Sequence, residues 1–322
     1  MTHNKVNDHA DNVVMHTQAK NPGMSRNLLI PVDFSDASLS AVKVGFHFAQ
    51  LLGLSPVILH VYPMVWASSP FFDQYIGVYT PDDDELLEAQ EAHDIQRIAE
   101  CQLDKFRKKL RERQTDGYIP DVPFSTSLLP GIPEDVILDY CRENAPRLVV
   151  MATRGIDKKE EDLIGSVTAE VLDSCRVPVF TVPDNYPIAA DPSIKRVLML
   201  CTLEAYDVAG LDNMMTTFDT PDIELWLMPM ARNNPEVVVD KLKKFREKIC
   251  DKWPGMSVRV ADSIYAEVDK SIDDFISEKG IQLVIAPNRK TSIFTRLFRP
   301  SVAHQCIFTI DIPMLAIPVS KA

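Results

Sequence analysis

Short apolar runs alternate with longer stretches of helical periodicity along most of this chain. In the first half the runs are Asn27-Leu-Leu-Ile-Pro-Val-Asp33, Pro56-Val-Ile-Leu-His60-Val61-Tyr62, Leu148-Val-Val-Met151 and Val177-Pro-Val-Phe-Thr-Val-Pro183. A run that stays apolar, without the alternation of a half-exposed strand, suits a strand buried on both faces of a parallel sheet. Between the runs, Ser35 or Asp36 can cap a helix over Ala37 to Leu52. Pro81-Asp-Asp-Asp-Glu85 starts a long helix that runs to about Gln114 and ends near Gly117. Strands alternating with helices imply parallel strands joined by right-handed crossovers, so the pattern predicts an α/β fold.

The chain states this plan twice. Lys195-Arg-Val-Leu-Met-Leu-Cys-Thr202 answers the run ending in Asp33, and Asp222-Ile-Glu-Leu-Trp-Leu-Met228 answers the second run. Gly280-Ile-Gln-Leu-Val-Ile-Ala286 answers the third, and Ile312-Pro-Met-Leu-Ala-Ile-Pro-Val319 the fourth. Two such units fit a chain of 322 residues. The turn formers between Pro183 and Pro192 separate them. The expected organisation is therefore a flexible tail over 1–24, a first domain over 25–184, a linker over 185–192 and a second domain over 193–322. The tail is polar, and its His3, His9 and His16 with Asp8 and Asp11 read as disorder before they read as a metal site. The first copy is the longer. Its excess lies mostly over residues 63–80, where Trp66, Phe71, Phe72, Tyr75 and Tyr79 cluster. That stretch suits a lid over a ligand, a partner surface, or a segment packed over its own domain.

Composition narrows the function. Hydrophobic content of 46% with 25% charge supports packed cores. A net charge of −12 argues against a nucleic-acid or anionic-membrane surface, since both need clustered Lys and Arg. The apolar runs fall far short of the ~20 residues that cross a bilayer. No charged-then-apolar leader opens the sequence. The six cysteines (101, 141, 175, 201, 250 and 306) form no C-x-x-C, so reduced thiols and a cytoplasmic protein are expected.

The chemistry concentrates where two runs end. Met151-Ala-Thr-Arg-Gly155 leads, ten residues on, to Gly165-Ser166-Val167-Thr168 and a helical stretch. Gly155 lets the backbone turn close to a ligand. Gly165-Ser166 opens a helix whose free N–H groups and dipole favour an anion. The spacing is neither Walker A nor the Rossmann fingerprint. Asp33 ends the first strand, at the edge where open α/β sheets bind ligands, and can accept hydrogen bonds from a ribose or adenine or cap its own turn. His60 reads as a packed strand residue.

Together these residues resemble the universal stress protein family, whose nucleotide loop reads Gly-x2-Gly-x9-Gly-Ser/Thr. Ala152 stands at the first glycine position, Gly155 at the second, Gly165 at the third and Ser166 at the hydroxyl. The resemblance implies two tandem Rossmann-like (adenine-nucleotide α-hydrolase-like) domains, each a five-stranded parallel sheet flanked by helices. It implies ATP or a related adenine nucleotide in the first domain, with any Mg2+ carried on the phosphates. The implied contacts are Pro31, Val32, Asp33, Val61, Met151, Ala152, Gly155, Gly165, Ser166, Val167 and Thr168. Met151 and the two valines would flank the base. Gly155, Gly165 and the Ser166–Thr168 backbone and hydroxyls would hold phosphates, with Arg154, Lys158 and Lys159 adding charge. It also implies that the two domains meet through their last strands, Val177–Pro183 and Ile312–Val319, lying antiparallel and covering each other's edge. A homodimer is a further expectation with no residue behind it.

The second copy departs from the pattern. Thr202 replaces the strand-end acid, and the loop Ala286-Pro-Asn-Arg289 … Arg299-Pro300 keeps the ten-residue step without a glycine. Two arginines can bind a phosphate directly, but a structural partner is the expected role. No nucleophile–base pair and no second carboxylate stand at a catalytic spacing. The leading reading is thus a non-enzymatic, nucleotide-responsive stress protein, with slow hydrolysis compatible with its site. The alternative is a nucleotide-free interaction or scaffold protein of the same fold, favoured by Ala152. An enzyme of the wider adenine-nucleotide group is weaker, because Phe34-Ser35-Asp36 stands where its Ser-Gly-Gly loop belongs.

Overall fold

The computed structural model describes residues 25–64, 83–154, 165–183, 186, 194–201, 203, 205–218, 223–229, 235–261, 268–288 and 312–318. The expected tail, the aromatic stretch beyond Met64, Gly155, Lys158, Lys159, the expected linker except Tyr186, Thr202, Arg289, Arg299 and Pro300 lie outside the described residues.

In the first half, β1 (Asn27–Pro31) is followed by α1 (Asp36–Leu52), β2 (Ser55–Tyr62) and α2 (Asp83–Thr115). Then come β3 (Ser125–Pro130), α3 (Pro133–Asn144), β4 (Leu148–Ala152), α4 (Ser166–Ser174) and β5 (Val179–Val182). The second half runs β6 (Arg196–Cys201), α5 (Ala205–Phe218), β7 (Glu224–Pro229), α6 (Pro235–Lys252) and β8 (Ser257–Val260). It closes with α7 (Val268–Lys279), β9 (Leu283–Asn288) and β10 (Met314–Pro318).

All the strands join one ten-stranded sheet in the order β3-β2-β1-β4-β5-β10-β9-β6-β7-β8. Read from its two ends, the order is the same in each half. Neighbouring strands within each half are parallel, as crossover helices require. The antiparallel junction is β5 with β10, which sets Met314 opposite Thr181, Leu315 opposite Phe180 and Ala316 opposite Val179. The Thr181 hydroxyl donates to the Met314 carbonyl at 3.4 Å across it. Because the direction reverses there, the C-terminal strand ends of the two halves lie at opposite edges of the sheet.

Helices cover both faces. One apolar layer packs α1, α2, α5 and α6 on the sheet and includes Leu28, Ile30, Phe46, Leu110, Leu227 and Ile249. The other packs α3, α4 and α7 and includes Leu29, Val149, Ile137, Leu172, Val284 and Ile276. Successive strand residues alternate between these layers, so a strand apolar at every position is what two covered faces demand. Among the residues of α2 whose side chains are described, Ala99, Leu103, Phe106 and Leu110 form a buried stripe.

The turn after the first strand has the same backbone signature in both halves. Phe34 has φ +66° and Leu203 has φ +63°. A left-handed conformation costs a residue with a Cβ of order 1–2 kcal/mol, so its recurrence at matching places in the strand order reflects one shared turn geometry.

Gly131, between β3 and α3, is fixed by a different constraint. Its φ is +138°, its N–H donates to the Tyr62 carbonyl at 2.9 Å, and a Cβ there would lie 2.7 Å from Val136 Cγ2. Gly131→Ala is therefore expected to destabilise the protein by about 1–3 kcal/mol. Gly255→Ala, where no atom lies within 4 Å of an added Cβ, is expected to stay near neutral. Urea unfolding of both variants checks the contrast, and equal midpoints would contradict it.

Candidate functional site

β1 lies between β2 and β4. From β1 the chain order proceeds outward through β2 on one side and through β4 and β5 on the other. Such a switch point opens a crevice beyond the C-terminal strand ends, because the two flanking loops leave in opposite directions. The loop after β1 brings Asp33 to it, and the loop after β4 returns at Gly165 and α4.

Asp33 is tied into its own turn. Its Oδ1 accepts from the Ser35 N–H at 3.1 Å, the Ser35 hydroxyl at 2.6 Å and the Ser38 hydroxyl at 2.5 Å. In return, the Asp33 N–H donates to Ser38 Oγ at 3.0 Å, and the Ser38 N–H donates to Ser35 Oγ at 3.1 Å. The last bond caps α1, with Asp36 adding negative charge to its first turn. Ser38 is buried, a partner that the sequence pattern alone does not mark. Its signal was a second hydroxyl in the first turn after a strand-end acid.

His60 closes the β2 side. Its Nδ1 lies 2.8 Å from the Val32 carbonyl, an acceptor, so Nδ1 carries the proton and Nε2 is the basic nitrogen. Its ring centroid is 4.2 Å from that of Phe34, which is 5.2 Å from that of Phe106. His60 is thus a packed strand residue. Pro31 ends β1, and the Val32 N–H extends the ladder to the Leu59 carbonyl at 2.8 Å. Val61 is half-buried on β2.

On the other side of the crevice, β4 ends in Met151 and Ala152, both buried. Met151 packs with Val171 and Leu172 in the α3–α4 layer, while Val32 and Ala152 belong to the α1 layer. The side chains of Val32 and Met151 therefore lie on opposite faces of the sheet, and what both present at the strand ends is backbone. The Thr168 hydroxyl, expected among the phosphate donors, donates instead to the Ala152 carbonyl at 3.0 Å. It pins α4 to β4 and leaves the Thr168 N–H as that residue's offering to an anion.

Gly165 is the N-cap of α4, with φ −67° and ψ 154° and no side-chain cap. Its N–H donates to the Thr153 carbonyl at 2.8 Å, and its own carbonyl accepts from Ala169 at 3.0 Å. No acidic residue stands in the first turn of α4. The N–H groups of Ser166, Val167 and Thr168 precede the first intrahelical donor, the Ala169 N–H, so they lie at the open end of the helix with the positive end of its dipole. Among helices with described caps, α1 instead begins with the Ser35 cap and Asp36, and the first turn of α3 carries Glu134 and Asp135.

At the matching place in the second half, between β6 and β9, the acid has moved. Cys201 at the end of β6 is fully buried, and burial with the nearby Asp207 charge pushes its thiol well up. Asp207, in the first turn of α5, is also fully buried. In sequence, Thr202 and Asp207 exchange the acid and hydroxyl of Asp33 and Ser38. The second half keeps a carboxylate there, but places it in the first turn of α5.

The His60 environment sets a pH dependence. Burial lowers its pKa below the ordinary 6.5, opposed by the Val32 carbonyl and the Asp33 charge. A base whose folded pKa is depressed contributes its full stability above pH 6.5 and loses it as pH falls through the folded value. An NMR titration of the His60 ring is expected to give a midpoint below 6.5. Urea midpoints of His60→Gln should change less across that window than those of the parent. A midpoint above 6.5 would reverse the sign.

Comparison with known proteins bears on this arrangement. Residues 24–183 match the Universal stress protein family. The chain is 28% identical over 163 residues to Universal stress protein MJ0531 of Methanocaldococcus jannaschii, covering 49% of this chain and 81% of that protein. It is 24% identical over 163 residues to Universal stress protein MJ0577 of the same organism, covering 49% and 95%. The crystal structure of a universal stress protein from Archaeoglobus fulgidus DSM 4304 superposes with a TM-score of 0.60 at 15% identity, covering 93% of this chain and 98% of that one. That likeness is one of fold, and it extends across both halves. Among the described residues, no helix is long and apolar enough to cross a membrane.

Proposed function

We propose that the universal stress protein domain of residues 24–183 binds ATP or a related adenine nucleotide at the crevice between the ends of β1 and β4, and acts as a nucleotide-responsive stress-regulatory protein. The observation that carries this reading is the pairing, at one switch point, of a strand-end carboxylate with a helix N-terminus capped by a glycine alone. The sugar or base would lie against Pro31, Val32, Asp33, Val61 and the Met151–Ala152 backbone. The polyphosphate would lie on Gly155, Gly165 and the N–H groups of Ser166, Val167 and Thr168, where uncapped donors offset the cost of an anion against the overall charge of −12. Mg2+ would ride on the phosphates.

The second half, with the same strand order in mirror sequence along the sheet, is read as a second, degenerate copy. It serves as a built-in mate for the first through β5 and β10. A homodimer would then be additional to this pairing. His60 is read as a structural residue, its ring tilted against Phe34 and its Nδ1–H donating to the Val32 carbonyl. The described cysteines are free thiols, the state a reducing cytoplasm maintains.

A second reading, a nucleotide-free scaffold, is favoured by one set of observations. Oδ1 of Asp33 holds three donors of its own turn, and Thr168 holds Ala152. Melting with Mg·ATP separates the two. Binding raises stability by RT ln(1 + [L]/Kd), about 2.7 kcal/mol at a hundredfold excess over Kd. Gly165→Val should abolish that rise while keeping the unliganded melting temperature, because valine accepts φ −67° with ψ 154°. Arg289→Ala should leave the rise unchanged. No rise at millimolar ATP would replace the nucleotide reading with the scaffold.

A further inference from the structure

We propose that Cys141 and Cys175 form an oxidisable dithiol, a site of reversible disulfide formation that joins the C-terminal part of α3 to the end of α4. Cys141 lies within α3, where its carbonyl accepts from the Ala145 N–H that caps the helix at 3.0 Å. Cys175 is the C-cap of α4, and its N–H donates to the Val171 carbonyl at 2.9 Å. The two helices pack together, and both sulfurs belong to one apolar cluster with exposures of 5% and 3%. Within that cluster the Cys141 thiol hydrogen-bonds to the Cys175 sulfur, which also accepts from the N–H groups of Arg176 and Val177.

The two sulfurs are therefore unequal. Donors converge on Cys175 and draw its pKa down against the opposing effect of burial. Cys141 keeps the proton, and its own pKa is pushed up by the bond to Cys175 and by burial. The arrangement is that of an attacking sulfur with a resolving thiol already in contact. The proposed nucleotide site uses neither of them.

At these exposures the oxidant must be small, and the reaction is written for hydrogen peroxide. The Cys175 thiolate attacks one peroxide oxygen and the O–O bond breaks. The departing hydroxide takes up a proton to become water, and Cys175 becomes a sulfenic acid. Cys141 Sγ then attacks that sulfur, its proton leaves with the displaced hydroxyl as a second water, and the S–S bond forms. Two thiols lose two electrons and one peroxide gains them. The bond fixes the far end of the helix whose first turn would face the phosphates. That consequence rests on the nucleotide reading, whereas the cross-link itself does not.

The test uses the full chain, reduced and then exposed to graded hydrogen peroxide. Remaining thiols are blocked under denaturing conditions, and the protein is digested with trypsin without reduction for mass spectrometry. Cleavage after Arg142 and Arg176 puts the two cysteines on separate peptides. The expected product is those peptides joined, two hydrogens lighter than their sum and released by dithiothreitol. Recovery of both as blocked free thiols, at peroxide levels that oxidise the exposed Cys101, would overturn the proposal. In Cys141→Ser, Cys175 is expected to proceed to sulfinic acid, while in Cys175→Ser, Cys141 stays reduced. The opposite pattern would overturn the assigned order of attack. Far-UV circular dichroism checks that these variants fold. Where serine disrupts the core, the alanine variants carry the same comparison, and the parent cross-link decides the existence of the pair without either.

Discussion

The parallel pairing of β1 with β4 is the constraint on which the candidate site depends. Leu28 lies opposite Leu148 and Leu29 opposite Val149, and these residues are fully buried. Parallel strands end at the same edge, so this pairing places the loop carrying Asp33 beside the loop that returns at Gly165. Had β4 been antiparallel to β1, the two loops would lie at opposite edges and no crevice would contain both. The chemistry at the strand tips thus depends on apolar burial beneath them, which sets strand direction and leaves little freedom in register.

At the same tips a small polar network holds the fold together. Ser35 and Ser38 complete the cap of α1 and hold the Asp33 carboxylate in place. A preoriented acid loses less conformational freedom on binding. Each donor it already holds is also a bond that a ligand must match or share. Thr168 is committed in the same way on the opposite wall, where its hydroxyl secures α4 to Ala152.

At the middle of the sheet, β5 and β10 cover the edge that each would otherwise expose, and the apolar layers continue across the junction on both faces. The outer edges are left to β3 and β8, whose residues are mostly partly or fully exposed. Because the halves run in opposite directions, the C-terminal ends of their strands point away from each other.

The central strands were legible in the sequence because burial on both faces writes an uninterrupted apolar run, as in Leu148–Ala152 and residues 197–201. Helix α1 was legible from its serine and acid start, and α2 from its proline-and-acid start. The edge strands β3 and β8 were not singled out, since Ser125–Pro130 and Ser257–Val260 are only partly covered and carry no such run. The order of the strands, the left-handed turn at Phe34, and the partners chosen by Ser38, His60 and Thr168 were decided only in three dimensions. Residue types and spacing state which groups are able to bond. Which of them do is settled by the directions in which packed strands and helices leave their atoms pointing, and that is a property of distant segments brought together.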